Sequence, residues 1–175
     1  AIQTMKNYYN LEFQRRKQEH MENKKAIAAA AASLVRDGDT LFINSGTTTY
    51  FTAVELKQRK NLNVVTNSIS VAVELGGLPT FRVIVLGGDI SAQYSFTYGE
   101  DVKEQISRYR ANWAILSVDG VNPGTGITTY HAEESAIDRI MVERAQTPVI
   151  VADSSKLGRE SFSRISTLSS GTILV

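Results

Sequence analysis

The sequence predicts an α/β domain: a mostly parallel sheet with helices on both faces. Two observations carry this prediction. Short apolar runs of strand length recur along the chain, and each is followed by a polar turn and a helix-like segment. The runs are also unbroken rather than alternating, as strands are when both faces of a sheet are covered.

The elements follow in order. The first 36 residues read as helix. The stretch 24–35 ("KKAIAAAAASLV") is rich in strong helix formers and is stopped by "RDGD". An alanine-rich helix has little side chain to bury, so it is expected close against the sheet. The piece before it, with Tyr8, Tyr9, Leu11 and Phe13, reads as an irregular connector. Residues 41–44 are expected as strand and 47–57 as helix. A strand at 62–66 and a helix at 69–75 follow, the helix ended by Gly76 and Gly77. A strand at 81–86 then leads through Gly87, Gly88 and a longer connection to a helix near 100–109. Residues 113–118 read as strand, 132–145 as helix, 149–152 as strand, and 172–175 as the start of another.

Composition places all this in one domain. The chain has 175 residues, 42% hydrophobic and 21% charged, long enough to bury a sizeable core. Lys+Arg number 19 against Asp+Glu 18, and the overall charge of +1 argues neither for nor against a nucleic-acid partner. Residues 1–25 are more basic, with six Lys/Arg against three Glu, an excess that reads most simply as a solvated helix face. The absence of cysteine excludes disulfides and thiolate metal sites, and fits a reducing cytoplasm. No apolar run has the length of a membrane span, and no signal peptide opens the chain. The start at Ala1 without Met, and the apolar end "GTILV", are expected of a piece of a longer protein.

Polar residues collect after the strands. The turns are Asn44-Ser45-Gly46-Thr47-Thr48-Thr49; Thr66-Asn67-Ser68; Gly87-Gly88-Asp89; Asp119-Gly120; and Asp153-Ser154-Ser155-Lys156. In an open parallel sheet these five share the edge where ligands bind. One such turn is an ordinary helix cap; five together, with Gly and Lys among them, point to a ligand site. The chemistry suits an anion. "NSGTTT" offers backbone N–H groups at a helix N-terminus, a glycine that permits close approach, and hydroxyls around the ligand oxygens. Lys156 adds a mobile charge.

The Gly-x-x-x-x-Gly-Lys spacing of nucleotide-triphosphate loops is absent, as is Gly-x-Gly-x-x-Gly. A small phosphorylated metabolite fits better, its hydroxyls met by Asn67, Asp119 and Thr128. His20 and His131 share no ligand spacing, so no metal or cofactor is expected. Glu133 and Glu134 open a helix, where acids are favourable against its dipole; a place in the site is the other reading for one of them. Trp113 is expected in the core or an interface.

In this order and spacing, "NSGTTT", "VVTNS", "VIVLGG", "SFTYGE", "VDG…GITT" and "VADSSKLGRESF" resemble the C-terminal effector-sensing domain of DeoR-type bacterial transcription regulators. The likeness runs from about Phe13 onward. It implies a ribose-5-phosphate isomerase-like fold and a cytoplasmic, non-catalytic sensor in a homo-oligomer. The sensor would serve a regulator of sugar metabolism genes, usually a repressor. The effector would be a phosphorylated sugar or polyol, and DNA would be contacted only by an N-terminal winged helix-turn-helix that has no counterpart here. Residues 1–25 would connect that part to a sensing domain at 26–175. Ser45, Gly46, Thr47, Thr48, Thr49 and Lys156 would bind the phosphate. Asn44, Asn67, Gly87, Gly88, Asp119, Thr128 and Glu134 would enclose the rest.

Three positions depart from the usual family pattern: Asn44 where Asp is common, His131 where Asn is, and Asp138 where Lys is. The first is expected to remove a charge beside the phosphate, the others to alter the entrance near 126–131. The rival reading is an aldose–ketose phosphate isomerase, with Asp119, Glu133 or Glu134 as base. Against it, "VDGVN" lacks the longer acidic run of those enzymes. A purely structural oligomerisation domain would leave the polar turns unexplained.

Overall fold

The computed structural model describes residues 11–175, so Tyr8, Tyr9 and the start of the expected connector lie outside the described residues. The chain begins with α1 (Leu11–Gln18) and α2 (Met21–Leu34). Then come β1 (Thr40–Ile43), α3 (Thr47–Leu56), β2 (Asn63–Thr66), α4 (Ile69–Leu75) and β3 (Arg82–Val85). A hairpin, β4 (Asp89–Ser91) and β5 (Phe96–Tyr98), precedes α5 (Glu100–Ile106) and β6 (Ala111–Ser117). β7 (Gly120–Asn122), β8 (Gly126–Thr129), α6 (Ala132–Arg144) and β9 (Ala145–Val151) follow. A short 3-10 turn (Ser154–Lys156), β10 (Ser163–Ser166) and β11 (Ile173–Leu174) complete the described chain.

Six strands form one parallel sheet in the order β11-β9-β6-β1-β2-β3. Alternate residues of each strand face opposite layers. Leu41, Ile43, Val64, Ile115, Val149 and Val151 pack with Ala31, Ala32, Ala53, Leu56, Val71 and Leu75, so α2, α3 and α4 cover one face. Phe42, Val65, Ala114, Leu116 and Ile150 pack with Val102, Ile106, Ile137 and Met141, so α5 and α6 cover the other. The predicted class is thus the observed one: burial on both faces is what made the runs unbroken.

Three features differ from expectation. The alanine-rich α2 lies chiefly against α3 and only secondarily on the sheet, because small side chains let two helices approach closely. The boundary expected at 25/26 falls inside α2. β9 starts ahead of Pro148: β11 reaches only Val149 and Ile150, so the front of β9 is an edge, where a missing N–H is tolerated. Two small antiparallel units had no forecast: the β4–β5 hairpin and the sheet β10-β8-β7.

The strand order matters most for function. From β1 the chain runs outward through β2 and β3; from β6 it runs the other way through β9 to β11. The turns after β1 and β6 therefore diverge, leaving a crevice at the carboxyl edge of the sheet, the usual ligand position in open α/β folds.

Candidate functional site

Two adjoining cavities occupy that crevice. One of about 290 Å³ is lined by Thr47, Thr48, Ser117, Asp153 and Ser155 together with Arg16, Lys24, Lys156 and Arg159. The second, about 300 Å³, shares Arg16, Lys156 and Arg159 and extends over Asp119, Tyr94, Tyr130 and His131. A narrow recess of about 20 Å³ runs from Arg16 toward Ser45, Gly46, Tyr94 and Glu134. Cations outnumber acids around the first cavity, and the N-terminus of α3 opens into it through Thr47 and Thr48. The cap residue Gly46 has no side chain, so no side-chain oxygen answers the first-turn N–H groups. Donors, dipole and cations together favour an anion there.

The positive wall is built largely by the N-terminal helices. His20 takes a left-handed backbone (φ 52) where the chain passes from α1, packed on α3, into α2. Lys24, only 7% exposed, reaches across with Nζ to donate to the carbonyl of Arg16. Burial, then the Arg16 charge, pushes the Lys24 ammonium down from its ordinary value. The Arg16 guanidinium lies 3.4 Å from Asp119 Oδ1, and Lys156 Nζ 3.8 Å from the same oxygen. Sequence reasoning missed Arg16, Lys24 and Arg159. A signal for Lys24 existed: at helical spacing it shares a face with Ala28, Ala31 and Ala32, all buried.

Behind the cations lies a chain of carboxyl groups. Asp119 Oδ2 accepts from Tyr130 N at 3.0 Å and from Thr129 Oγ1 at 3.1 Å. Thr129 Oγ1 also lies 3.2 Å from Glu134 Oε2. A hydroxyl has one proton and cannot donate to both carboxylates, so one contact requires a protonated acid. Asp119 has Arg16 and Lys156 beside it, which leaves Glu134 as the proton carrier. Burial, reinforced by the Asp119 charge, pushes Glu134 up to about 8. Asp138, one turn further along α6, is raised well above its usual range by burial and then by the Glu134 charge. Its Oδ2 accepts from Asn44 Nδ2 at 3.0 Å, and its Oδ1 has no protein partner among the described residues.

These raised values set a pH dependence of stability. The folded protein holds protons that the unfolded chain releases near the ordinary carboxyl values of 4.5 and 3.8. The stability contributed is therefore complete below those values, declines as pH rises, and for Glu134 is gone above about 8. One proton gives a slope of at most about 1.4 kcal/mol per pH unit. The urea midpoint is expected to fall between about pH 6 and pH 8.5, and Glu134→Gln, an isostere of the neutral acid, to flatten that fall. A midpoint that holds or rises over this interval contradicts the protonation assigned to Glu134.

The residues singled out from the sequence divide into two groups. Thr47, Thr48, Asp119 and Lys156 come together around the cavities, and Ser45, Gly46 and Glu134 line the recess. Thr49 turns inward, its hydroxyl oxygen 3.0 Å from the carbonyls of both Asn44 and Gly46. Asn44 is buried between β1 and β6, bonded to Ser117 and Asp138. Asn67 is buried against Thr97, and its turn is spent on itself: Thr66 bonds back to Ile43 and Ser68 caps α4. The Thr128 hydroxyl is engaged by Gly120 O and Ser161 N.

Gly87 and Gly88 lie elsewhere, on an apolar groove with Val73, Val85 and Ile90. Gln105 bonds both backbone groups of Gly87, and a Cβ on Gly88 would meet Tyr98 O at 2.4 Å, so Gly88 serves packing. The freedom of Gly46 also has a different use from the one expected: a Cβ there would stand 2.4 Å from Ser117 Cβ, so the space it vacates belongs to the end of β6. Trp113 is half-buried, its indole N–H donating to Asp39 at 2.8 Å.

Residues 19–175 match the family described as the DeoR C terminal sensor domain. Over 154 residues the chain is 34% identical to the HTH-type transcriptional repressor GlcR of Bacillus subtilis (strain 168), covering 88% of this chain and 59% of that protein. It is 31% identical, again over 154 residues, to the Glycerol-3-phosphate regulon repressor of Escherichia coli (strain K12), with 88% and 61% covered. The chain thus spans about three fifths of the length of these relatives. The fold is similar to that of ribose 5 phosphate isomerase A from Neisseria gonorrhoeae, with a TM-score of 0.57 and 20% identity over 78% of this chain and 53% of that one. It is also similar to the translation initiation factor eIF-2B of Pyrococcus horikoshii OT3, with a TM-score of 0.54 and 23% identity over 92% and 53%. At such identity these two establish the fold alone, the ribose-5-phosphate isomerase-like one that the motifs implied. With the family matched from 19 to 175 and a repressor 34% identical over most of its length, this chain belongs to the DeoR C-terminal sensor domain family.

Proposed function

We propose that this domain is the effector-binding part of a DeoR-type transcriptional regulator of sugar metabolism genes, usually a repressor. Its effector is a phosphorylated sugar or polyol that alters DNA binding by the full-length protein. The observation that carries this reading is the cavity at the divergence of β1 and β6, where the open N-terminus of α3 and four cationic side chains face the same space. The phosphate lies against Thr47, Thr48, Lys24 and Lys156, and the remainder of the ligand extends toward Asp119, Tyr94 and His131. The relatives support the reading, since they are repressors and one is named for a glycerol-3-phosphate regulon. DNA is contacted through an N-terminal part, in a cytoplasmic homo-oligomer. The connector gives way to the sensing domain near the His20 turn, where the family match also begins.

Binding without turnover is favoured by the state of the acids. Aldose–ketose isomerisation needs a free carboxylate over the sugar. Asp119 is bonded to Tyr130 N and Thr129 and flanked by Arg16 and Lys156, and Glu134 carries a proton up to about pH 8.

A thermal-shift screen against sugar and polyol phosphates, with the unphosphorylated compounds as controls, tests the reading. A true effector at 100 times its dissociation constant adds about 2.7 kcal/mol of stability. Folded protein that responds to no phosphorylated compound would sink the sensor reading, and turnover of the best binder would replace it with the isomerase.

A further inference from the structure

We propose that α1 is a ligand-responsive strap and that Arg16 is the residue by which it grips a bound anion, an inference that rests on the anion reading of the cavity. α1 is eight residues long, too short to hold its place or shape without packing partners. Its described partners are few, and all belong to the site or to the helix that opens it. Phe13, 5% exposed, stands edge-on to Tyr50 of α3 with ring centroids 5.8 Å apart. Lys17 Nζ sits 4.1 Å above the same ring. Lys24, itself a cavity residue, holds the carbonyl of Arg16.

The remaining anchor is the pair from Arg16 to Asp119. It uses a single terminal nitrogen at 3.4 Å, with about a third of the arginine side chain exposed, so it binds weakly. A guanidinium has five donors in a planar fork suited to phosphate. Arg16 nevertheless lines both cavities and the recess between them, the position from which it can reach an anion on the α3 N-terminus. The hinge is present as well: His20, left-handed without being glycine, is where the chain passes from α1 into α2.

An anion bound by Thr47, Thr48 and Lys156 therefore gains Arg16 only when α1 is docked. By linkage, occupancy of the cavity and docking of α1 favour one another. α1 is then held in place when ligand is present and released when it is absent. This gives the signal a physical route out of the domain.

Trypsin reads the strap directly, because Arg15, Arg16 and Lys17 are cleavage sites within it. With inorganic phosphate as probe, cleavage after these residues is expected to slow at least several-fold. The protection should follow the same concentration dependence as the thermal shift, while chloride at equal ionic strength gives none. Arg16→Gln, which leaves two of the three cleavage sites, is expected to abolish the protection and to weaken phosphate binding about tenfold. Its unfolding midpoint without phosphate should stay near that of the parent. A thermal shift without protection, or an Arg16→Gln variant that binds phosphate as tightly as the parent, overturns the strap while leaving the anion site standing. No thermal shift with phosphate overturns both.

Discussion

Asn44→Asp is expected to destabilise the domain by about 3–5 kcal/mol at neutral to alkaline pH, the range for a buried charge left without its partner. Asn44 is fully buried where β1 and β6 diverge. Its Oδ1 accepts from Ser117 N at 2.9 Å, and its Nδ2 donates to Ser117 O at 2.9 Å and to Asp138 Oδ2 at 3.0 Å. An aspartate removes the donor: the Ser117 carbonyl loses its partner and, once the pair has given up its proton, two carboxylates face each other. Below the titration of the pair the loss should shrink, because one acid can then donate to the other. Adding Asp138→Asn restores a donor from the opposite side, so the double variant is expected to recover most of the lost stability. Urea unfolding of the four proteins at about pH 6 and pH 8 measures this; a single variant as stable as the parent at both would refute the pairing.

The same contact joins two of the positions expected to depart from the family pattern. Positions 44 and 138 touch, with Asn44 as donor and Asp138 as acceptor. Neither change acts where the sequence suggested. Asn44 does not line the cavities, and Asp138 lies buried beneath them rather than at the entrance. His131 does sit at the mouth, its ring 4.4 Å from that of Tyr94.

Lys156→Glu is expected to weaken binding of a phosphorylated effector by roughly 100-fold or more, about 2.8 kcal/mol. The ammonium lines both cavities and lies 3.8 Å from Asp119. Two unit charges about 4 Å apart near a protein surface interact by about 4 kcal/mol before salt screening. Reversing the sign removes one attraction and adds a repulsion. Lys156→Gln, which only removes the charge, should fall between parent and Glu. Stability without ligand should change by about 1 kcal/mol or less, since the side chain is partly exposed on a short turn. Calorimetric titration with the strongest binder from the thermal screen measures the effect; unchanged affinity would move the phosphate away from this end of the site.

The sheet was legible because its central strands are buried on both faces, which writes them as unbroken apolar runs such as "LFI" and "AIL". Helices that follow such runs were legible too: α3 begins at Thr47 and α4 spans Ile69–Leu75, as the turn chemistry indicated. The pieces "GVN" and "SRIS" were not, since three or four mixed residues carry no period. They are strands only because β8 lies between them in space.

The site divides in the same way. That Thr47, Thr48, Asp119 and Lys156 share an edge follows from the sequence, because in a parallel sheet every strand must end on the same side. Which polar turns open onto the cavities was decided by strand order. The turns after β1 and β6 open at the switch point, whereas those after β2 and β3 close on their own caps and on Gln105. Nor could the sequence place Arg16 over the cavity. Its position depends on the turn at His20 and on Lys24 and Phe13 docking against distant partners, contacts that local chain chemistry does not record.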